Sequence, residues 1–187
     1  MALCHPHAGG AASVRGVLKC SPDVSSLTLR LLTPADAEAV LALQQRVYPP
    51  THWERWAVLG AKQALYPAGC WAAVDAQDRL LAYLFSHPWR RGTAPALHGE
   101  LTQLPSHPDC YALHDLALAP EARGQGLARR LVDGARAHAQ GLGLTTLTLV
   151  AVQNSAGFWQ RMGFEPCGVQ DASLLSYGAN AVAMVAG

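Results

Sequence analysis

Arg123-Gly124-Gln125-Gly126-Leu127-Ala128 decides the reading of this chain, because it follows an apolar strand-like run and opens a helix-like one. The first N–H groups of a helix have no intrahelical partner and lie at the positive end of its dipole, so a turn of this kind suits a phosphate. Its glycines let the backbone approach the ligand closely. A dinucleotide fingerprint needs a third Gly or Ala at the position held here by Arg129, and no Gly-Lys-Ser/Thr sequence is present. Both the dinucleotide turn and the P-loop are therefore excluded.

The flanks narrow the reading further. His114-Asp115-Leu116-Ala117-Leu118-Ala119-Pro120 precedes the turn, and Phe158-Trp159-Gln160-Arg161-Met162-Gly163-Phe164 follows at a distance. The spacing Arg/Gln-x-x-Gly-x-Gly/Ala, met by Arg123, Gly126 and Ala128, resembles the acetyl-CoA signature of the GNAT superfamily of N-acetyltransferases. The segment 114–120 resembles that family's fourth strand, and 158–164 its late helix followed by Gly-Phe, in the same order. The resemblance implies an α+β fold with a mixed central sheet flanked by helices, and acetyl-CoA as the acyl donor. It also implies that the strands ending near Leu118 and Val152 splay apart, with the pantetheine arm between them. Residues expected to touch the cofactor are Leu116, Ala117, Leu118, Arg123, Gly124, Gln125, Gly126, Leu127, Ala128, Asn154, Phe158 and Trp159.

Composition is consistent with one core. At 187 residues, with 50% hydrophobic and 14% charged residues, the chain reads as a single domain over 27–187 preceded by a flexible extension, 1–26. A formal net charge of +1 gives no broad basic surface, so nucleic acid and anionic membrane are not the expected partners. Five cysteines, at 4, 20, 70, 110 and 167, are odd in number and widely spaced, which fits reduced thiols rather than a disulfide framework. No run approaches the ~18 apolar residues of a spanning helix, and a cytoplasmic location is expected. Cys4, His5 and His7 sit on a Gly/Ala/Ser-rich stretch without distant partners, so no metal is expected. Oligomeric state stays open, a homodimer included.

Working outward from the turn, Tyr111 to Leu118 reads as a strand. Leu127, Leu131, Val132, Ala135 and Ala139 form one helical stripe, ended by Gly141 and Gly143. Thr145 to Val152 gives a β-branched strand, Ser155 to Met162 a short helix, and the C-terminal segment two strands, the last near Ala181–Val185. Upstream, Leu27–Leu32 is a strand, and Thr33-Pro34 opens a helix that stops before Tyr48-Pro49-Pro50. Thr51 opens a second helix to Leu65, with Glu54 at capping-box spacing. Cys70–Val74 and Leu80–Ser86 form a hairpin. The stretch from His87 to Asp109 holds Pro88, Pro95, Pro105 and Pro108 and reads as a long loop, a candidate lid over the acceptor site.

Amine acetylation needs a proton acceptor, because an alkyl ammonium titrates near ~10. His114 is the first choice. The run Leu113–Leu118 resembles the corresponding strand of arylalkylamine N-acetyltransferases, which carry two histidines at alternate positions; His114 stands at the second, and the first corresponds to Ala112. Asp115 is the alternative base or orienting charge, and alternation places it on the opposite face from His114. Where many family members have a tyrosine that assists the leaving thiolate, this chain has Trp159, whose indole has only an N–H donor. A backbone N–H near Leu116 or Leu118 is expected to polarise the carbonyl. Cys110 has no obvious histidine partner and reads as a buried apolar side chain. Tyr48, His52, Trp53, Trp56 and Trp89 are candidates for an acceptor pocket, with Glu54 or Glu100 as a counter-charge.

The leading reading is an acetyl-CoA-dependent N-acetyltransferase acting on a primary amine, either a small molecule or a peptide N-terminus. The alternative is a CoA-binding sensor or interaction module that has lost its chemistry, for which Trp159 and the unpaired His114 speak.

Overall fold

The structure is a computed structural model that describes residues 27–169 and 171–187. The extension read at 1–26, with Cys4, His5 and His7, lies outside the described residues. In chain order the elements are β1 (Thr28–Leu31), α1 (Ala37–Val47), α2 (Trp56–Leu65), β2 (Cys70–Val74), β3 (Leu80–Trp89) and β4 (Cys110–Leu118). These are followed by α3 (Leu127–Gly141), β5 (Leu147–Ala151), α4 (Ala156–Gln160), β6 (Glu165–Pro166) and β7 (Val182–Ala186). The strands form one sheet in the order β1-β2-β3-β4-β5-β7-β6. Every pairing is antiparallel except β4 with β5, the pair that needs a crossover, which α3 supplies. The sheet is covered on both faces: all eight interior residues of β3 are buried, so it cannot show the polar alternation of a half-exposed strand.

Two irregularities of β4 create the site. Its parallel pairing with β5 covers only Tyr111 to Leu113, opposite Leu147 to Leu149, and beyond that the strands separate. The edge of β4 from His114 to Leu118 is left facing a groove. On the other side, Ser86 pairs with Leu113 and Phe85 with Asp115, so His114 is the extra residue of a β-bulge. A bulge breaks the two-residue alternation. For that reason Asp115 does not turn to a separate polar face as strict alternation requires, but lines the groove together with His114.

The remaining differences from the sequence reading have local causes. β3 continues through His87 and Pro88 to Trp89, taking the start of the expected loop. Pro88 is tolerated because the pairing of β3 with β2 ends at Phe85, leaving that edge without a strand to receive an N–H. The second helix begins at Trp56 rather than Thr51; Pro50–His52 is a 3-10 turn, and Glu54 does not cap anything. Trp53 therefore precedes the helix and shares no helical face with Trp56. Before β7, the 3-10 turn Ala172–Tyr177, capped by Asp171, carries Tyr177 back to the sheet.

Candidate active site

The groove between the diverging strands has a volume of about 810 Å³. One end is made mostly of backbone. Gly124 and Gly126 have φ of 77° and 72°, in the left-handed region that favours glycine. A Cβ added at either would meet nothing within 4 Å, so conformation, not crowding, demands the residue. Arg130 N donates to Gly126 O at 3.1 Å, which is the first helical bond of α3. The N–H groups of Leu127, Ala128 and Arg129 precede it and have no helical acceptor. Arg123, Arg129 and Arg161 also line this end, giving positive charge beside the helix start.

The strand edge supplies further donors. Ala119 N donates to Leu81 O of β3 at 2.8 Å, so alternation turns the N–H groups of Leu118 and Leu116 the other way, into the groove. Leu116, Ala117 and Leu118 all line it, as do Leu127, Ala128, Phe158 and Trp159. Trp159 is buried and packs edge-on against Phe158 and Phe164, at 5.1 and 5.5 Å between ring centroids.

The other end is a buried polar array. The His114 side chain is 1% exposed and that of Glu54 is 2% exposed, with His114 Nε2 at 2.9 Å from Glu54 Oε2. Glu54 Oε1 accepts from His98 N at 2.8 Å and from Lys62 Nζ at 3.5 Å. Burial opposes the Glu54 charge, but His114, Lys62 and the His98 N–H outweigh it and hold the carboxyl down at about 2. Burial lowers Lys62 from the ordinary lysine range, with Glu54 opposing. The remaining His114 nitrogen, Nδ1, lies 3.4 Å from the Tyr177 hydroxyl, which donates its own proton to Pro95 O.

Asp115 sits in a different proton balance. Tyr48 has one hydroxyl proton and two oxygens at 2.7 Å, Asp115 Oδ1 and the Leu116 carbonyl. Tyr83 donates to Asp115 Oδ2 at 2.8 Å. Every oxygen is satisfied when Asp115 is the neutral acid, giving its proton to Tyr48 while Tyr48 gives its own to Leu116 O. Burial pushes the Asp115 carboxyl up and the nearby Glu54 charge adds to that, while the Tyr48 hydroxyl, His114 and the Tyr83 hydroxyl offset part of the rise.

Of the remaining candidates, Tyr48, His52 and Glu54 line the groove, whereas Trp53, Trp56, Trp89 and Glu100 do not. Gln125 turns back to donate to Glu121 O and is not part of the lining. Asn154 is exposed at φ 59°, and its neighbours Gln153 and Ser155 line the groove instead. Cys110 is buried away from the groove, within 3.6 Å of Thr148 Oγ1, and burial raises its thiol to about 11. His87 is the cross-strand partner of Ala112, with its ring centroid 6.4 Å from that of His114.

Sequence reasoning missed Lys62, Tyr83 and Tyr177 and treated Glu54 mainly as a cap. A signal existed for Lys62. It lies four residues after Val58 and three after Leu59 on the buried stripe of α2, where a charge needs a partner. Tyr177 gave none, since only the 3-10 turn aims it inward.

The family model described as "Acetyltransferase (GNAT) family" matches residues 37–164. The chain belongs to this family of acetyltransferases. Among solved structures, a GNAT-like decarboxylase, GphF, in complex with isobutyryl-CoA is similar at TM-score 0.71 and 17% identity, over 86% of this chain and 98% of that one. The loading GNATL domain of CurA from Lyngbya majuscula is similar at TM-score 0.71 and 13% identity, over 86% and 96%. The ribosomal-protein-S18-alanine N-acetyltransferase from Escherichia coli is similar at TM-score 0.60 and 17% identity, over 86% and 92%. These likenesses establish the fold, and no curated protein matches the chain in sequence. Among the described residues no helix is long and apolar enough to cross a membrane.

Proposed function

We propose that the protein transfers an acetyl group from acetyl-CoA directly to the nitrogen of a primary amine, with His114 as the general base. The observation that carries this reading is the convergence of two unlike ends on one groove: a glycine turn at a helix start, and a histidine with one nitrogen held by a buried carboxylate. Glu54 fixes the tautomer by accepting from His114 Nε2–H, which leaves the Nδ1 lone pair as the base. Nδ1 takes a proton from the acceptor ammonium, and the freed amine attacks the thioester carbonyl. The C–N bond forms, the C–S bond breaks, and CoA leaves as a thiolate; the second proton of the attacking nitrogen passes through water to the thiolate sulfur, giving the amide and the CoA thiol. The resulting Nδ1–H then points at the Tyr177 oxygen, whose proton is already committed to Pro95 O.

Other features support the same assignment. Leu116 N–H and Leu118 N–H face the groove and are placed to polarise the thioester carbonyl, a contribution of roughly 3 kcal/mol per donor. Asp115, held between the hydroxyls of Tyr48 and Tyr83, serves as structure rather than as the base. The raised thiol of Cys110, away from the groove, speaks against an acyl-enzyme. A small-molecule amine and a peptide N-terminus both fit the class; the strand resemblance to arylalkylamine N-acetyltransferases favours the former, and the likeness to a ribosomal-protein-S18-alanine N-acetyltransferase favours the latter.

Mass spectrometry of an amine and peptide panel incubated with acetyl-CoA tests the proposal. A product 42 Da heavier than its amine is the expected result. Saturable acetyl-CoA binding with no product from any acceptor would instead assign a CoA-binding module, the reading that Trp159 in place of tyrosine favours.

A further inference from the structure

Behind the acyl-transfer end lies a second cavity of about 270 Å³. It shares His114, Leu113, Val150 and Tyr177 with the groove but none of the glycine turn, so the base stands in the wall between the two spaces. Apart from that wall its sides are chiefly aliphatic, from Ala112, Leu149, Val169, Ala183 and Met184. Its one permanently charged lining residue is Arg91, a half-exposed or more open side chain that pairs with Asp109.

The roof of this cavity is made of two loops fastened to each other by three hydrogen bonds. Ala94 N donates to Asp171 Oδ2 at 3.1 Å, Leu97 N donates to Ser176 Oγ at 2.9 Å, and Tyr177 donates to Pro95 O. The first of these loops is also tied to the catalytic carboxylate, through His98 N to Glu54. A cover held by a few hydrogen bonds can open to admit a molecule that is separate from the donor.

Resting on the acetyl-transfer reading above, we propose that this cavity receives the tail of the acceptor, and that the acceptor is a primary monoamine with an aliphatic tail. At water's share of liquid volume, about 30 Å³, the space takes roughly nine non-hydrogen atoms. The amine nitrogen then lies at the groove side of that wall, beside His114 and the incoming thioester, and only its tail passes between the shared residues into the cavity. The aliphatic lining disfavours a tail carrying a second ammonium, because among the described residues no carboxylate lines the cavity to pair with it.

The test compares n-alkylamines of increasing length at saturating acetyl-CoA, with hexylamine set against hexamethylenediamine. Each methylene in an apolar pocket is worth up to about tenfold or more in specificity, so kcat/KM rises with chain length to about eight carbons and then falls. Hexylamine exceeds hexamethylenediamine by about tenfold or more. Val169→Trp, on a loop outside the sheet pairing, lowers kcat/KM for hexylamine about tenfold and leaves propylamine and the KM for acetyl-CoA nearly unchanged; Ala183→Leu does the same more weakly, and retained CoA affinity shows that each variant is folded. The proposal is overturned if hexylamine turnover ignores both substitutions, or if their cost falls on butyryl-CoA relative to acetyl-CoA, which would make the cavity an acyl-chain pocket. If no amine is acetylated at all, the transfer reading fails by itself. The cavity is then judged by calorimetry of hexylamine on the CoA-saturated protein, where binding weakened by Val169→Trp supports it, and absent or unaffected binding overturns it.

Discussion

The two ends of the groove are built in opposite ways. The glycine-turn end comes mainly from one continuous stretch, Arg123 to Arg129, joined by Arg161, and its groups are chiefly backbone N–H donors whose directions follow from helix geometry. The buried polar end draws Tyr48, Glu54, Lys62, Tyr83, His114, Asp115 and Tyr177 from six separate segments, and its groups are side chains held by one another. A backbone site tolerates most side-chain changes and fails when φ is altered. A side-chain site fails when one partner is removed, because the others are buried and cannot turn to water.

The largest test of this contrast is His114→Ala. Loss of a general base lowers turnover by about 10²- to 10⁴-fold, while acetyl-CoA affinity, made at the other end, stays nearly constant. Steady-state kinetics beside calorimetric titration of CoA separates the two; unchanged turnover removes His114 from the mechanism. The converse is Gly126→Asp, which forces a side chain into a left-handed position and sets a negative charge beside the incoming pyrophosphate. Strain of about 1–2 kcal/mol plus the repulsion weakens CoA binding by roughly 100-fold. Retained affinity in that variant would mean the glycine turn does not hold the cofactor.

A third comparison tests the buried ion pair through stability. Glu54→Gln leaves Lys62 unpaired in the interior and costs about 3 kcal/mol in urea unfolding, near the lower end for a broken buried pair because Lys62 can shed its proton. The sign with pH follows from Glu54 being held at about 2 when folded, against 4.5 for the free side chain. Its contribution is present above about 4.5 and is lost as pH falls toward about 2, so the wild type loses more stability than the variant across that window. Parallel acid-unfolding curves would show that Glu54 gains nothing from its neighbours. The smallest effect is expected for Asp115→Asn. An amide keeps both hydrogen bonds of a neutral acid, so activity at pH 7 changes by less than about threefold. A loss comparable to that of His114→Ala would show Asp115 acting as an ionised base.

The difference between the two ends also explains what was legible beforehand. The stripe Leu127, Leu131, Val132, Ala135, Ala139 on α3 and the glycines before it are local patterns, and each is found where the spacing predicts. The β3 extension through Pro88 was illegible because proline reads as a breaker until one sees that its edge of the sheet has no neighbour. Glu54 was misread because capping-box spacing is a local rule, and here a distant N–H at His98 and a distant imidazole at His114 take the carboxylate instead. The two-residue alternation misplaced Asp115 because a bulge is set by cross-strand register, which no single strand records.

The sequence by itself determined the glycine turn, the helix behind it, the strands on either side and the family to which they belong, since these depend on residues within one or two turns of one another. Tertiary structure alone decided which carboxylate supports His114, that Asp115 is enclosed by the hydroxyls of Tyr48 and Tyr83, and that Tyr177 and Lys62 join the site. Those outcomes depend on burial and on hydrogen-bond partners up to 82 residues apart, as Tyr177 is from Pro95, and such proximity is a property of packing rather than of spacing.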